Sequence, residues 1–181
     1  MSESSRVSGA PKARAAAVCL SERIASAHDL AGFACGDHTL DRWLAASALA
    51  ADAMGTARTY VWSENSAVVG YFSLCPHEVR RDELPAKLGH GAPHSIPAIL
   101  LARLALDRRL HGHGLGASLL LDALTRATDA IEIAGGRLIV VDAIDEPARR
   151  FYEHHGFHAA PTRPARLFRK ASDVAAALRG R

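Results

Sequence analysis

Residues 104–116, with the sequence LALDRRLHGHGLG, decide the fold of this chain. The first three residues are apolar and continue a run that begins at Ile96, which predicts a buried strand. Glycines at 112, 114 and 116 allow a tight turn, and an apolar helical pattern starts directly after them. The N–H groups of such a turn and the positive end of the helix dipole converge on one point. We therefore predict a phosphate-binding loop between a strand and a helix.

A second segment, residues 145–157 (DEPARRFYEHHGF), predicts a short helix with a tyrosine near its end. Asp145 is a candidate N-cap, Pro147 suits the first turn, and Gly156 ends the helix. Tyr152 lies on an amphipathic pattern. Its position is therefore compatible both with packing in the core and with a functional role.

The composition predicts one folded domain. The chain has 181 residues, of which 49% are hydrophobic and 23% charged. We assign residues 1–14 to a disordered tail and residues 15–181 to the domain. Cys19, Cys35 and Cys75 show no CxxC spacing, which favours a reducing cytoplasm over a disulfide framework. No apolar run reaches membrane-spanning length and the histidines lack partners at zinc spacing, so neither a membrane nor a metal is expected.

Periodicity and turn residues predict an α/β fold with a mixed central sheet flanked by helices. Strands are expected at residues 17–20, 56–62, 67–75, 96–106, 137–143 and around 157–169. Helices are expected after Asp37, over 115–133 and 145–156, and over 173–178 with Ser172 as N-cap. Residues 76–96 are rich in proline and glycine and predict a long irregular connection.

The order of these motifs resembles the GNAT N-acetyltransferase superfamily. Its pyrophosphate loop has the form Gln/Arg-x-x-Gly-x-Gly/Ala, and two frames of this chain fit it. One frame starts at His111 and the other at Arg109. Further segments are similar to GNAT toxins of type II toxin–antitoxin pairs, and together they make a more specific signal than any one motif. These segments are residues 33–44, 55–61, 69–74, 101–107 and 151–157.

The resemblance implies an enzyme that moves acetyl from acetyl-CoA to the α-amino group of aminoacyl-tRNA and so blocks translation. It also implies a ribbon-helix-helix antitoxin as partner, a homodimer and a cytoplasmic location. Tyr152 corresponds to the catalytic tyrosine. Strand residues would bind the pantetheine through their backbone, and loop residues would bind the pyrophosphate. The residues assigned to acetyl-CoA are Leu104, Ala105, Leu106, Arg109, His111, Gly112, His113, Gly114, Leu115, Gly116, Ala117, Asp145 and Phe151.

The residues also support a chemical role for the tyrosine. An amine that attacks a thioester generates an oxyanion and expels a thiolate. A phenol with an ordinary pKa of about 10 is suited to protonate that thiolate. A backbone N–H freed by a strand bulge near residues 104–106 would bind the oxyanion. The amine of an aminoacyl ester is largely neutral at cell pH, so no dedicated base is required.

The charge distribution leaves more than one function open. Residues 149–170 contain six basic residues against one acidic residue, which favours a polyanion such as tRNA or else a solvated face. Acetylation of a small amine or a protein N-terminus is one alternative, and a non-catalytic CoA-binding module is another. The residues assigned to nucleic acid are Arg149, Arg150, Arg163, Arg166, Arg169 and Lys170.

Overall fold

A seven-stranded mixed sheet organises the computed structural model, which describes residues 20–180. The strands are β1 (Glu22–Arg23), β2 (Arg58–Glu64), β3 (Ala67–Arg80), β4 (Ser95–Leu106), β5 (Leu138–Asp142), β6 (His158–Ala159) and β7 (Arg166–Lys170). The helices are α1 (His38–Ala53), α2 (Ala86–Gly89), α3 (Leu115–Ala134), α4 (Glu146–His154) and α5 (Ala171–Arg179). The sheet order is β1-β2-β3-β4-β5-β7-β6, and β4 and β5 are the parallel pair among the described strands. The predicted α/β fold is confirmed.

The two faces of the sheet have separate cores. Helices α3, α4 and α5 cover one face, where the apolar stripe of α3 packs on β3 and β4. Helices α1 and α2 lie on the opposite face over two smaller clusters. Continuous apolar sequence in β5 follows from this arrangement, because its side chains are buried on both faces.

Several predicted boundaries are wrong, and each has a local reason. Strand β3 runs through residues 76–80 instead of ending at Cys75, and a 3-10 turn and α2 follow it. Among the described strands, only β4 pairs with this extension beyond Leu74, which leaves its other side available for Pro76, a residue without an N–H. Helix α5 begins directly after β7 with Lys170 as N-cap, and the Ser172 hydroxyl bonds to Asp173 instead of capping.

The N-terminal predictions are tested only in part. The first described strand is Glu22–Arg23, later than the predicted start at residues 17–20. Residues 17–19 and the predicted tail at 1–14 lie outside the described residues. Asp37 is confirmed as the N-cap of α1, since its carboxylate accepts from the N–H groups of Thr39 and Leu40.

A bulge and a divergence of strands shape the centre of the sheet. Leu101 lies opposite Leu74 and Arg103 opposite Ser73, so Ala102 is an extra residue in β4. The bulge therefore precedes the predicted position at residues 104–106. Strand β5 pairs with β4 only as far as Leu101. From Ala102 onward no described residue of β5 pairs with β4, and we call the unpaired space beside residues 102–106 the gap.

Candidate active site

The gap between β4 and β5 presents free backbone groups. The N–H of Asp107 donates to the carbonyl of Val69, which makes Leu106 and Gly70 a non-hydrogen-bonded pair of the β3–β4 ladder. Residues of such pairs direct their N–H and C=O away from the partner strand. Leu106 and, by alternation, Leu104 therefore turn these groups towards the gap. His111 occupies the Leu106 carbonyl, so the two N–H groups and the Leu104 carbonyl are the groups left for an extended amide-containing chain. The pantetheine contact stays a prediction.

Ala105 departs from the prediction. It alternates with Leu104 and Leu106, so its N–H and C=O face β3 and take part in the sheet. Its side chain is buried on the α1 face of the sheet. The pantetheine contact predicted for the Ala105 backbone is therefore not supported, because an antiparallel ladder exposes only every second residue on one side.

The glycine loop forms an open cradle at the start of α3. Gly112 and Gly114 have φ of 78° and 75°, and Gly114 is the N-cap of the helix. A Cβ atom at Gly112, Gly114 or Gly116 would meet no other atom within 4 Å. Since no residue in the range 20–180 fills that space, the loop can receive a ligand. The groove is lined by Leu106, Leu110, His111, Gly112, Gly114, Leu115, Gly116, Ala117 and Phe151.

The structure favours the alignment of the pyrophosphate-loop motif that starts at His111 over the one that starts at Arg109. His111 Nε2 donates to the carbonyl of Leu106 over 2.8 Å and so ties the loop to the end of β4. The other ring nitrogen of His111, Nδ1, does not take part in this hydrogen bond. Arg109 does not line the groove, since Asp107 holds its guanidinium through two bonds of 2.8 and 3.2 Å. His113 is exposed in the loop between the two positive-φ glycines.

Asp107 is a structural residue that the sequence did not single out. Its carboxylate is 3% exposed and also accepts from the N–H groups of Ala34 and Arg109. It thereby joins the segment before α1 to the segment before the glycine loop. An aspartate that ends an apolar strand is the signal that could have revealed it.

Asp107→Asn is expected to destabilise the fold in a pH-dependent way. The Arg109 guanidinium holds the pKa of Asp107 at about 2, below its ordinary value of 3.8. A depressed pKa means that the carboxylate stabilises the folded state above pH 4, and that this contribution is lost as pH falls to 2. We expect Asp107→Asn to lower the free energy of unfolding by about 2 kcal/mol at pH 6. Urea unfolding at pH 6 and at pH 2.5 measures this, and a difference that does not shrink at pH 2.5 would contradict it.

Tyr152 lies on the inner side of α4. It is 8% exposed and packs edge-to-face against Phe151 and Phe157. Burial raises the pKa of the phenol, and within residues 20–180 no hydrogen-bond partner contributes to that shift. The phenol therefore stays protonated at physiological pH, which is the state that a general acid needs.

Two other predicted cofactor residues also lie on or before α4. Phe151 lines the loop groove and packs against the tilted ring of His155, at 4.5 Å between centroids. The side chain of Asp145 accepts from the N–H of Ala148 over 2.7 Å, as the N-cap of α4. Its established role in the structure is thus to start the helix that carries Tyr152, and a contact with acetyl-CoA stays a prediction.

The basic segment does not form one positive surface. Arg149 pairs with Glu146 and Glu153, and Arg150 pairs with Glu146. On β7, alternation places Arg169 on the α3 face and Lys170 on the α2 face. The charge count along the sequence did not predict the surface charge for two reasons. Neighbouring residues of β7 point to opposite faces of the sheet, and acidic residues outside residues 149–170 pair with some of the arginines.

Arg166 belongs to a charged cluster on the α2 face of the sheet. Its side chain is 12% exposed and bonds Asp142 at 2.7 and 2.8 Å, with Glu83 at 3.7 Å. His77 Nε2 lies 3.4 Å from the guanidinium, and burial together with Arg166 lowers the pKa of this imidazole. Asp142 is the last residue of β5, so the cluster adjoins the mouth of the gap. The sequence did not indicate it, because its members come from four separate segments.

Comparison with known proteins identifies this architecture. Residues 55–159 match the family model of the Acetyltransferase (GNAT) domain. The chain belongs to the GNAT acetyltransferase family. Across 156 residues it is 37% identical to a tRNA-acetylating toxin of Mycobacterium tuberculosis, which covers 86% of this chain and 94% of that protein. The predicted family is thereby confirmed.

Solved structures of GNAT toxins have the same fold. AtaT complexed with acetyl-methionyl-tRNAfMet superposes with a TM-score of 0.80 at 28% identity, over 87% of this chain and 98% of that chain. An AtaT mutant bound to acetyl-CoA and the C-terminus of the antitoxin AtaR gives 0.74 at 26% identity, over 87% and 96%. The chain is an acetyltransferase with acetyl-CoA as donor, and its open glycine cradle and strand gap fit that donor.

Across residues 20–180, no helix combines the length and apolar character that crossing a membrane requires. In the same range, no three His, Cys, Asp or Glu side chains come together as a set that could hold a metal ion.

Proposed function

We propose that this GNAT enzyme acetylates the α-amino group of aminoacyl-tRNA and acts as a translation-blocking toxin. The observation that carries the proposal is the gap between β4 and β5, because Leu106 at its edge lines the glycine-loop groove together with Phe151, the neighbour of Tyr152 on α4. Likeness to a tRNA-acetylating toxin over 86% of the chain supports the choice of acceptor. The AtaT complex with acetyl-methionyl-tRNA supports the same choice.

We assign separate roles in the reaction to the strand β4, the glycine loop and Tyr152. Acetyl-CoA, when bound, supplies an activated acetyl thioester. The N–H groups of Leu104 and Leu106 would hold and orient the donor in the gap, and the loop amides would hold its diphosphate. Tyr152 would give its phenolic proton to the departing sulfur. Helices α3, α4 and α5 cover one face, so the amine is expected to approach from the face that carries α1 and α2.

The acceptor face offers groups suited to an RNA end. Arg103 stacks over the ring of Trp43, with its guanidinium carbon 3.8 Å from the ring centroid. Stacked guanidinium and indole groups are typical of surfaces that hold unpaired bases and phosphates. Arg163, beside Asp142 at the end of β5, is 61% exposed, and Arg150 on α4 is 74% exposed; each has a carboxylate partner, Asp142 at 3.9 Å and Glu146 at 3.1 Å. We propose them as phosphate contacts of the tRNA.

The partners follow from the same relatives. AtaT binds the C-terminus of its antitoxin AtaR, and we propose that this chain is likewise neutralised by an antitoxin, of the ribbon-helix-helix type. A homodimer and a cytoplasmic location complete the proposal. Size-exclusion chromatography with light scattering would test the dimer, and a monomer at micromolar concentration would contradict it.

Acetyl transfer to a pool of charged tRNA tests the proposed reaction. Labelled acetyl-CoA is expected to label charged tRNA and not uncharged tRNA, since deacylated tRNA lacks the α-amino group. Sequencing of the labelled pool would identify the favoured amino acid. Acetyl-CoA binding without label on any charged tRNA would overturn the proposed acceptor and favour a small amine or a protein N-terminus.

The double variant Arg150→Gln/Arg163→Gln is expected to weaken tRNA acetylation without changing acetyl-CoA affinity. Each phosphate contact that is lost should reduce the slope of log affinity against log salt by about 1. We expect kcat/KM for tRNA to fall about 10-fold near physiological salt. Arg137→Gln, which removes an exposed charge just before β5, is the control. An effect of the double variant that is independent of salt would argue against phosphate contacts.

A further inference from the structure

A second pocket adjoins the acetyl-CoA groove, and the proposed reaction does not use it. It lies between the first turns of α3, the end of α4, β7 and α5. It shares Ala117 with the glycine-loop groove, so the two spaces are neighbours on the same helix. Its polar lining consists of Ser118, His155 and Arg169, and its apolar walls include Leu121 and Leu178.

Arg169 brings an uncompensated charge to this pocket. The guanidinium is half-buried and lies over Gly156, where a Cβ atom would be 3.4 Å from its Cζ and Nε atoms. Among residues 20–180, no carboxylate lies within ion-pair distance of it, unlike Arg149, Arg150 and Arg166. Burial lowers the pKa of Arg169, and the more distant charge of Asp173 offsets this only in part. A bound anion would offset that cost.

The other polar groups of the pocket also suit an anion. His155 Nδ1 donates to the carbonyl of Phe151 over 2.7 Å, which leaves Nε2 as the nitrogen free of this bond. Ser118 presents an exposed hydroxyl in the first turn of α3. A guanidinium, an imidazole and a hydroxyl beside apolar walls match a phosphate carried on a nucleoside.

The occupant follows from the chemistry of the donor. Coenzyme A carries two groups of phosphates on one adenosine, the 5′-diphosphate and the 3′-monophosphate. The glycine loop takes the diphosphate, so the monophosphate must lie a few ångströms from it, which is the relation between the two pockets. We propose that Arg169, with Ser118 and His155, binds the adenosine 3′-phosphate of acetyl-CoA. Arg169 is thereby reassigned from tRNA to the donor, and this inference rests on donor binding at the loop.

Comparison of CoA with 3′-dephospho-CoA tests this assignment directly. Wild-type protein is expected to bind CoA about 10- to 100-fold more tightly than 3′-dephospho-CoA in calorimetry, because the lost contact is charge-assisted. Arg169→Met keeps the aliphatic stem over Gly156 and should bring the two affinities together. Arg169→Lys should restore part of the preference. Arg137→Met removes a charge elsewhere and should leave both affinities unchanged.

The outcomes separate this proposal from the others. An equal loss of affinity for both ligands in Arg169→Met would overturn it and assign Arg169 a structural role. Unchanged binding of both ligands together with weaker tRNA acetylation would overturn it and return Arg169 to the tRNA surface. Calorimetry needs no acceptor, so the 3′-phosphate preference can be found even if charged tRNA is not the substrate.

Discussion

Tyr152→Phe is expected to lower turnover by about 10²- to 10⁴-fold while acetyl-CoA affinity stays unchanged. The substitution removes only the phenolic oxygen. The ring that packs against Phe151 and Phe157 remains, so the core around α4 should keep its stability. Burial holds the phenol in its protonated form. The loss should therefore fall on the step that needs a proton and not on binding.

Steady-state acetylation of charged tRNA and calorimetry with acetyl-CoA together measure this effect. Tyr60→Phe is a matched control, because Tyr60 also packs against a phenylalanine, Phe72, but on β2 away from the gap. Turnover of Tyr152→Phe close to that of the control would remove the phenol from the chemistry. Tyr152 would then be a core residue, a role that its burial also allows.

Gly114→Asp is expected to weaken acetyl-CoA binding by about 100-fold or more, since it puts a carboxylate where the diphosphate is to lie. The space beyond the Gly114 Cα is open, so the new side chain would enter the groove instead of clashing with the protein. The positive end of α3 would then be neutralised by the protein itself.

Gly91→Asp is a matched control for Gly114→Asp. Gly91 has φ of 67° against 75° for Gly114, and a Cβ at either position meets no atom within 4 Å. Gly91→Asp therefore carries similar backbone strain and the same charge, but at a site away from the loop groove. Calorimetry should show a loss of acetyl-CoA affinity for Gly114→Asp and no loss for Gly91→Asp. Equal losses would mean that strain or net charge, and not the site, accounts for the effect.

Local sequence features predicted the elements that position the site. Each of these features acts over a few neighbouring residues. They are the glycines of 112–116, the N-caps Asp37 and Asp145, and the apolar run of β5. Such signals are carried by backbone conformations and short hydrogen bonds, so they can be recognised without knowing what lies opposite. The phosphate loop, the tyrosine helix and the mixed sheet were therefore predictable, and the resemblance to GNAT toxins added the reaction.

The pairing of strands decided what the sequence left undetermined. Three features depend on the register and alternation of strands that are distant in sequence. They are the bulge at Ala102, the direction of the Ala105 backbone groups, and the placement of Arg169 and Lys170 on opposite faces of the sheet. The Asp142 carboxylate that neutralises Arg166 is 24 residues away along the sequence and becomes its partner only in the folded chain. The sequence by itself determined most of the elements and the position of the loop at which we predict phosphate binding. Only the tertiary structure decided which charges stay free, because ion pairing and burial depend on neighbours that are remote along the chain.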